Sequence, residues 1–352
     1  MSKKNKLLFL KKNKNIVIYV IFAIFFVIVT VVALNWTIIK KELCMKFHDN
    51  KFECYETYYQ TLVQKKDIKD VYIDLRRNFN KDNTVKLSCH QLTHAIGRAA
   101  AKKYLNISEA FKHGDSFCFS GYYHGVMEGI ASKMDINNFM REINSICSNI
   151  SGKERHSFDY WNCVHGLGHG IMYVKDDEIF NSLKTCDLLN RSWEQTTCYS
   201  GVFMENLVVD TKYHTSKYVK DNDTFYPCNV VEEKYKNVCI VKQTYHMLKI
   251  NRFDFSKVFE LCQQVPDAYI DTCYYGLGLE AATQSTFSIA KTRTLCLLGK
   301  DFKQQSNCIR GATSEFIHNF NSANKAKQLC SSLPSYLKSI CFDELKISSS
   351  NL

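Results

Sequence analysis

Three short stretches of the chain carry six side chains of the types that bind metal ions. They are CHQLTH at residues 89–94, GYYHGVME at residues 121–128 and CVHGLGH at residues 163–169. On an α-helix, residues four positions apart lie on the same face, one turn from each other. The spacing therefore predicts three ligand pairs, each on its own helix: His90 with His94, His124 with Glu128, and His165 with His169.

These ligand types indicate the class of ion. Imidazole combined with carboxylate suits Zn, Fe or Cu. Five imidazoles and one carboxylate exceed the four ligands of a tetrahedral zinc ion, so the sequence predicts one or two transition-metal ions of unspecified identity. Histidine is not a general feature of these positions, because Met204, Tyr245, Leu279 and Ser314 stand at the matching places further along the chain.

Three residues are candidates for catalysis beside the ions. Glu128 is interpreted as a ligand or a general base. Glu205 lies seven residues after Cys198 and is a candidate ligand, hydrogen-bond acceptor or base. Arg98 follows His94 by one turn, where a guanidinium would bind an anionic substrate or pair with Glu128.

The sixteen cysteines predict how the helices are held together. After Cys118 they come in close pairs, whose first members are 39, 42, 34, 34 and 34 residues apart. In an exported chain such cysteines indicate disulfides. We predict that Cys44 bonds to Cys54 and Cys89 to Cys118, and that the remaining bonds are Cys147–Cys163, Cys186–Cys198, Cys228–Cys239, Cys262–Cys273, Cys296–Cys308 and Cys330–Cys341.

A spacing near 34 residues is the size of one two-helix unit in an α-solenoid. The chain has only three prolines and no sustained alternation of apolar and polar residues, which argues against sheet. The predicted fold is all-α: a disulfide-clamped α/α-hairpin repeat, solenoid-like, behind a single N-terminal transmembrane helix. The layout resembles tetratricopeptide and Sel1-like solenoids in period and helix pairing, and this resemblance implies a fold without implying a function. Equivalent positions of successive helices converge on the concave face of a solenoid, so the six ligands are expected to share one pocket.

The N-terminus predicts a membrane anchor. Six lysines precede an uncharged run from Ile16 to Leu34, which is long enough to cross a bilayer. The positive flank keeps the N-terminus in the cytoplasm and places the rest outside. Residues 41–352 hold 39 Lys and Arg against 35 Asp and Glu, a net charge of +4, so a nucleic-acid partner is not expected.

Six segments follow from these patterns. We predict a basic cytoplasmic tail at 1–15, a signal anchor at 16–36, a juxtamembrane helical segment at 37–87, histidine-rich repeats with the metal site at 88–209, an inserted loop at 210–227 and disulfide-paired repeats at 228–352. The first functional hypothesis is a membrane-anchored extracytoplasmic metalloenzyme, either a hydrolase or an oxidoreductase. Two alternatives stay open: a non-catalytic module that binds a protein or peptide in its concave groove, and a protein for surface metal capture or delivery.

Overall fold

The computed structural model describes residues 24–349, except residues 28, 31, 34, 105, 119 and 208–215. The predicted tail at 1–15 lies outside the described residues, as do most of the predicted anchor at 16–36 and part of the predicted loop at 210–227. In the part of the chain that is described, no helix combines the length and apolar composition needed to span a membrane. The described ranges contain helices and no strand, which confirms the all-α prediction.

The chain divides into two compact units, Met1–Ser88 and Cys89–Leu352. The described part of the first unit contains α1 (Trp36–Phe47), α2 (Lys51–Lys65), α3 (Ile68–Phe79) and α4 (Asn83–Leu87). A disulfide between Cys44 and Cys54 joins α1 to α2. Buried tyrosines fill the core of this unit, and Tyr59 is fully buried.

The second unit carries the predicted metal ligands. Its helices are α5 (Cys89–Lys103), α6 (Ile107–Lys112), α7 (Gly121–Ala131), α8 (Ile136–Glu142), α9 (Phe158–Val174), α10 (Ile179–Cys186), α11 (Ser192–Leu207), α12 (Glu233–Ile250), α13 (Phe255–Leu261), α14 (Ile270–Gln284), α15 (Ile289–Cys296), α16 (Phe302–Phe320), α17 (Ala323–Ser332) and α18 (Ser335–Ser349). Short 3₁₀ turns occupy Lys153–Arg155, Cys262–Gln264 and Asp267–Tyr269.

The longer helices of this unit form one row, in which each packs against the next along the chain. This main row consists of α5, α7, α9, α11, α12, α14, α16 and α18. The shorter helices, such as α10 and α15, pack against the main-row helices next to them in sequence. Side chains at equivalent positions of neighbouring main-row helices are thereby brought side by side.

Polar side chains fix where several of these helices begin. Ser157 precedes α9, and its hydroxyl accepts a hydrogen bond from the backbone N–H of Tyr160. Asp301 precedes α16 and accepts from the N–H of Gln304 at 2.8 Å. Such caps satisfy N–H groups that have no partner within the helix and contribute about 1 kcal/mol each.

Eight disulfides join the sixteen cysteines, and each links one cysteine to the next along the chain. All eight predicted pairings are confirmed. From Cys163 onwards, the second member of each pair lies in the first two turns of a main-row helix. The bonds therefore fix the starts of these helices to the segments that precede them.

The main row curls back on itself. At the end of α16, His318 packs edge-on against Trp161 of α9, with ring centroids 4.0 Å apart. Beside it, the hydroxyl of Ser116 donates to the backbone carbonyl of Asn319 at 2.9 Å. Residues separated by 157 and 203 positions are thus in contact, and we call the side of the row on which Trp161 and His318 meet its inward face.

Candidate metal centre

The five predicted histidines come together on α5, α7 and α9, three successive helices of the main row. We call His90, His94, His124, His165 and His169 the histidine cluster. His124 lies at its centre, and its ring centroid is 5.5, 5.3, 4.9 and 4.2 Å from those of the others, in chain order. All five are buried except His90, which is half-buried.

Glycine lets these helices approach closely enough to bring the rings together. A methyl group at Gly125 of α7 would overlap the backbone carbonyl of His94 on α5. A methyl group at Gly201 of α11 would likewise overlap the carbonyl of His165 on α9. Any larger residue at these two positions would force the helices apart.

Four of the rings are oriented through their Nδ1 atoms. Nδ1 of His90 donates to the backbone carbonyl of Cys118 at 2.9 Å, and Nδ1 of His94 donates to Oε1 of Glu128 at 2.5 Å. Nδ1 of His169 donates to the carboxylate of Glu205. Nδ1 of His165 lies 2.6 Å from the hydroxyl of Ser200.

The Cys118 carbonyl reaches His90 from an unusual backbone conformation. Cys118 has a φ of 60° and Ser120 has a φ of 57°, which are both in the left-handed region. Residues other than glycine adopt this region at a cost of roughly 1 kcal/mol each. Strain of this kind occurs often at functional sites, and here it lies in the segment that orients a predicted ligand.

The Nε2 atoms point at one another in two pairs. Nε2 of His90 is 3.0 Å from Nε2 of His94, and Nε2 of His165 is 3.2 Å from Nε2 of His169. A tetrahedral zinc ion with Zn–N bonds of about 2.0–2.1 Å holds its nitrogen ligands about 3.3–3.4 Å apart. Each pair is therefore close to the spacing of two ligands on one ion.

The Nδ1 hydrogen bonds also determine which nitrogen of each ring carries a proton. A carbonyl or an ionised carboxylate only accepts, so Nδ1 of His90 and of His94 must carry the proton. With both Nδ1 atoms protonated, any Nε2 without a proton presents a lone pair to the other ring, and two such lone pairs repel unless a cation lies between them. Burial, followed by the neighbouring His94, lowers the pKa of His90 to about 3, so a proton is held weakly there.

His124 has no hydrogen-bond partner at either ring nitrogen among the described residues, although both nitrogens are buried. A buried polar atom without a partner is costly and needs a reason. Burial, followed by its histidine neighbours, holds the pKa of His124 well below the usual range, so the ring is neutral and offers a lone pair. It can join either neighbouring pair, because its ligand atoms lie within 4.8 Å of those of His90 and His94 and also of those of His165 and His169.

The carboxylates lie around the rings. Burial alone would raise the pKa of Glu128, but His94 and Arg98 outweigh it and hold the pKa below the usual range. Arg98 donates from Nη1 to Oε2 of Glu128 at 2.7 Å, so the predicted pairing of these two residues is present. Glu128, His169 and Glu205 form a third group whose ligand atoms lie within 4.8 Å of one another.

Two halves of the site have the same construction. In each half, two histidines four residues apart share a helix, and a glutamate on the next main-row helix accepts from the second histidine. The first half is His90, His94 and Glu128, and the second is His165, His169 and Glu205. Carboxylate-bound histidines of this kind are typical of metal ligands, because the carboxylate fixes the ring and makes its free nitrogen more basic.

Sequence reasoning missed two residues that contact the cluster. Ser200 lies two residues after Cys198, as His165 lies two residues after Cys163, and this equivalence was a usable signal. Trp161 stacks on His165 with ring centroids 4.4 Å apart and an interplanar angle of 14°. Nothing in its local sequence indicates that role.

When compared with family models, curated proteins and solved structures, the chain matches none of them. The geometry of the histidine cluster therefore carries the functional argument.

Proposed function

We propose that this chain is a metalloprotein in which the histidine cluster holds one or two divalent transition-metal ions, Zn, Fe or Cu. The observation that carries the proposal is His124, which is buried between two converging Nε2 pairs with both of its own nitrogens unpartnered. The five side chains proposed to bind the ions directly are all imidazoles. Glu128 and Glu205 act through His94 and His169, and Arg98 pairs with Glu128.

Metal analysis tests this proposal. The full-length chain, purified with its disulfides formed, is expected to contain one or two equivalents of metal by inductively coupled plasma mass spectrometry. His124→Ala should lose most of it. His156→Ala is the matched control, because His156 stacks on Trp193 outside the cluster. Native protein that binds none of Zn²⁺, Fe²⁺ and Cu²⁺ after incubation would contradict the proposal.

Within this proposal, a metalloenzyme is favoured over a purely structural site. Eight disulfides already clamp the helices, so the fold does not depend on a metal for its cross-links. The bound ion would polarise a substrate or activate water or dioxygen. Glu128, Glu205 and Arg98 would position the ligands and a substrate, with hydrolysis and oxidation as the candidate reactions.

Cobalt substitution separates the enzyme from the alternatives. A catalytic ion keeps an open position, whereas a structural ion is fully coordinated by protein. Azide added to the Co²⁺-loaded protein is expected to change its visible spectrum. An unchanged spectrum would favour the non-catalytic module, which binds a protein or peptide in its groove. Rapid exchange of the ion with a chelator would favour surface metal capture and delivery.

The proposal retains the disulfide-clamped repeat of about 34 residues. A backbone turn with positive φ supports it, because it recurs thirteen residues after the second cysteine of four units, at Asp176, Arg252, Thr286 and Asn321. Cα traces of the individual units, taken from an experimental structure, should superpose if the repeat is genuine.

We also propose that residues 16–36 anchor the chain in the cell membrane, with the N-terminus cytoplasmic and the second unit outside. The six lysines before Ile16 and the uncharged run after them support this topology. The full-length chain should stay with membranes during carbonate extraction, and a chain lacking residues 1–36 should not. Release of both chains would contradict the anchor.

A further inference from the structure

His124 has two buried ring nitrogens without a hydrogen-bond partner among the described residues, and a single metal ion would satisfy only one of them. A neutral imidazole carries a lone pair on one nitrogen and a proton on the other. An ion bound to the lone pair would leave the N–H group buried without an acceptor. Such a donor is costly, so the second nitrogen needs a partner of its own.

The main row places a histidine pair on either side of this ring. His124 lies on α7, which packs against both α5 and α9. Its ligand atoms lie within 4.8 Å of those of His90 and His94 on α5, and also of those of His165 and His169 on α9. Among the described residues, no group of three or more ligand atoms within that distance of one another combines histidines of both pairs. One ion therefore cannot bind both pairs in this arrangement, whereas two ions would use all five rings.

We propose that His124 bridges two metal ions as an imidazolate, with Nδ1 bound to one ion and Nε2 bound to the other. One ion also binds His90 and His94, and the other ion also binds His165 and His169. The second ion to bind replaces the N–H proton of His124, which passes to solvent. Each ion then has three protein ligands, as a catalytic zinc ion does, and keeps a position for water or substrate. This inference rests on the proposed function and specifies the number of ions and the link between them.

The bridge requires one ring to turn. An ion bound to an imidazole nitrogen lies near the plane of that ring, and His124 stacks on His169 with an interplanar angle of 15° and centroids 4.2 Å apart. The His169 ring is held by Glu205 through Nδ1. No hydrogen bond to a described residue holds the His124 ring. His124 is therefore the ring that turns about its Cβ–Cγ bond when the ions bind.

Copper tests the bridge, because two Cu²⁺ ions joined by an imidazolate couple magnetically and a single Cu²⁺ ion does not. The full-length, disulfide-bonded chain is stripped with a chelator, loaded with Cu²⁺ and passed through gel filtration. It is expected to retain two equivalents of copper. Its integrated electron paramagnetic resonance signal at liquid-helium temperature should be at least tenfold smaller than its copper content.

The outcomes separate this inference from the metal proposal. One equivalent of copper, or two equivalents with full signal, would overturn the bridge and leave the metal proposal standing. No retained copper would also overturn the bridge, and the metal proposal would then depend on the binding of Zn²⁺ or Fe²⁺.

Variants that disable one ion position at a time provide the second test. His94→Ala and His169→Ala should each retain one equivalent of copper, with at least tenfold more signal per copper than the native chain. His156→Ala is the matched control and should keep two coupled ions, because His156 stacks on Trp193 outside the histidine cluster. Circular dichroism identifies any variant that fails to fold, in which case the other variant decides. Loss of both ions from either folded variant, or two ions that remain coupled in it, would overturn the bridge.

Discussion

At the scale of single residues, the two carboxylates beside the histidine cluster each contact the Nδ1 atom of a histidine. Glu128 and Glu205 each accept a hydrogen bond from Nδ1 of a histidine, which leaves the Nε2 atoms to converge. A residue in this position controls metal affinity without replacing an imidazole as ligand. This arrangement gives Glu128 and Glu205 equivalent roles in the two halves of the site.

Substituting these carboxylates should weaken the metal site without abolishing it. Glu128→Gln and Glu205→Gln keep the size of the side chain but remove the charge that makes the imidazole basic. Each is expected to lower metal affinity about 10- to 100-fold, measured by competition with a chromogenic chelator. Glu194→Gln is the control, because Glu194 is a buried carboxylate that binds Tyr160 at 2.5 Å outside the cluster. Equal losses in all three variants would point to general destabilisation.

Glu315 gives the protein a pH-dependent stability of definite sign. A carboxyl group whose pKa rises from 4.5 in the unfolded chain to about 7 in the folded protein binds more protons in the folded state. Below pH 4.5 Glu315 is protonated in both states and its burial carries no charge penalty. As the pH rises from 4.5 through 7, the unfolded chain ionises first and the folded protein loses stability. Glu315→Gln should become more stable relative to the native protein between pH 4.5 and pH 8, by about 1–3 kcal/mol.

Urea unfolding of the metal-free protein with intact disulfides, at pH 5 and pH 8, measures this difference. Glu260→Gln, at an exposed position, should show no such trend. A Glu315→Gln curve parallel to that of the native protein would show that this carboxyl group has an ordinary pKa.

At the scale of helices, the close crossing of α9 and α11 should be intolerant of any side chain at Gly201. Gly201→Ala places a methyl group on the carbonyl of His165, and it is expected to cost about 1–3 kcal/mol and to reduce metal content. Gly170→Ala on α9 is the matched control, because its methyl group would lie no closer than 3.3 Å to other atoms. Alanine favours helix over glycine by about 1 kcal/mol, which offsets the small shift that the 3.3 Å contact with Ala131 requires, so this variant should lose much less stability than Gly201→Ala. Thermal unfolding and metal analysis of both variants provide the comparison.

The helices and their cross-links were predictable from local patterns, and the inward face was predictable only in part. Cysteine spacing was enough for all eight bonds because each cysteine pairs with its neighbour in sequence. The four-residue spacing of His165 and His169 was enough to place them on one helix face. The contact between His318 and Trp161 had no such signal. It joins α16 to α9 across 157 residues, and a contact at that separation leaves no local periodicity.

At the scale of the whole molecule, the disulfides near and far from the metal site should behave differently. Replacing the Cys147–Cys163 pair with alanine should reduce metal content, because Cys163 lies two residues before His165. Replacing Cys330 and Cys341 should leave metal content unchanged. Either bond closes a short loop and is expected to contribute about 2–4 kcal/mol. Metal analysis beside thermal unfolding separates the two effects, and equal metal loss in both variants would show that the second unit responds as one cooperative body.

The order of the disulfides has a consequence for biogenesis. The first cysteine of each pair bonds to the next cysteine to appear during synthesis, so a chain whose segments enter an oxidising compartment in the order of their synthesis can form its bonds in order of emergence. With vectorial oxidation, the first available partner is always the native one. Such a chain needs a thiol oxidase but little disulfide isomerisation, whereas refolding of the reduced, full-length chain exposes all sixteen thiols together. The reduced full-length chain must therefore select each native partner from among sixteen thiols, a choice that ordered entry into an oxidising compartment does not present.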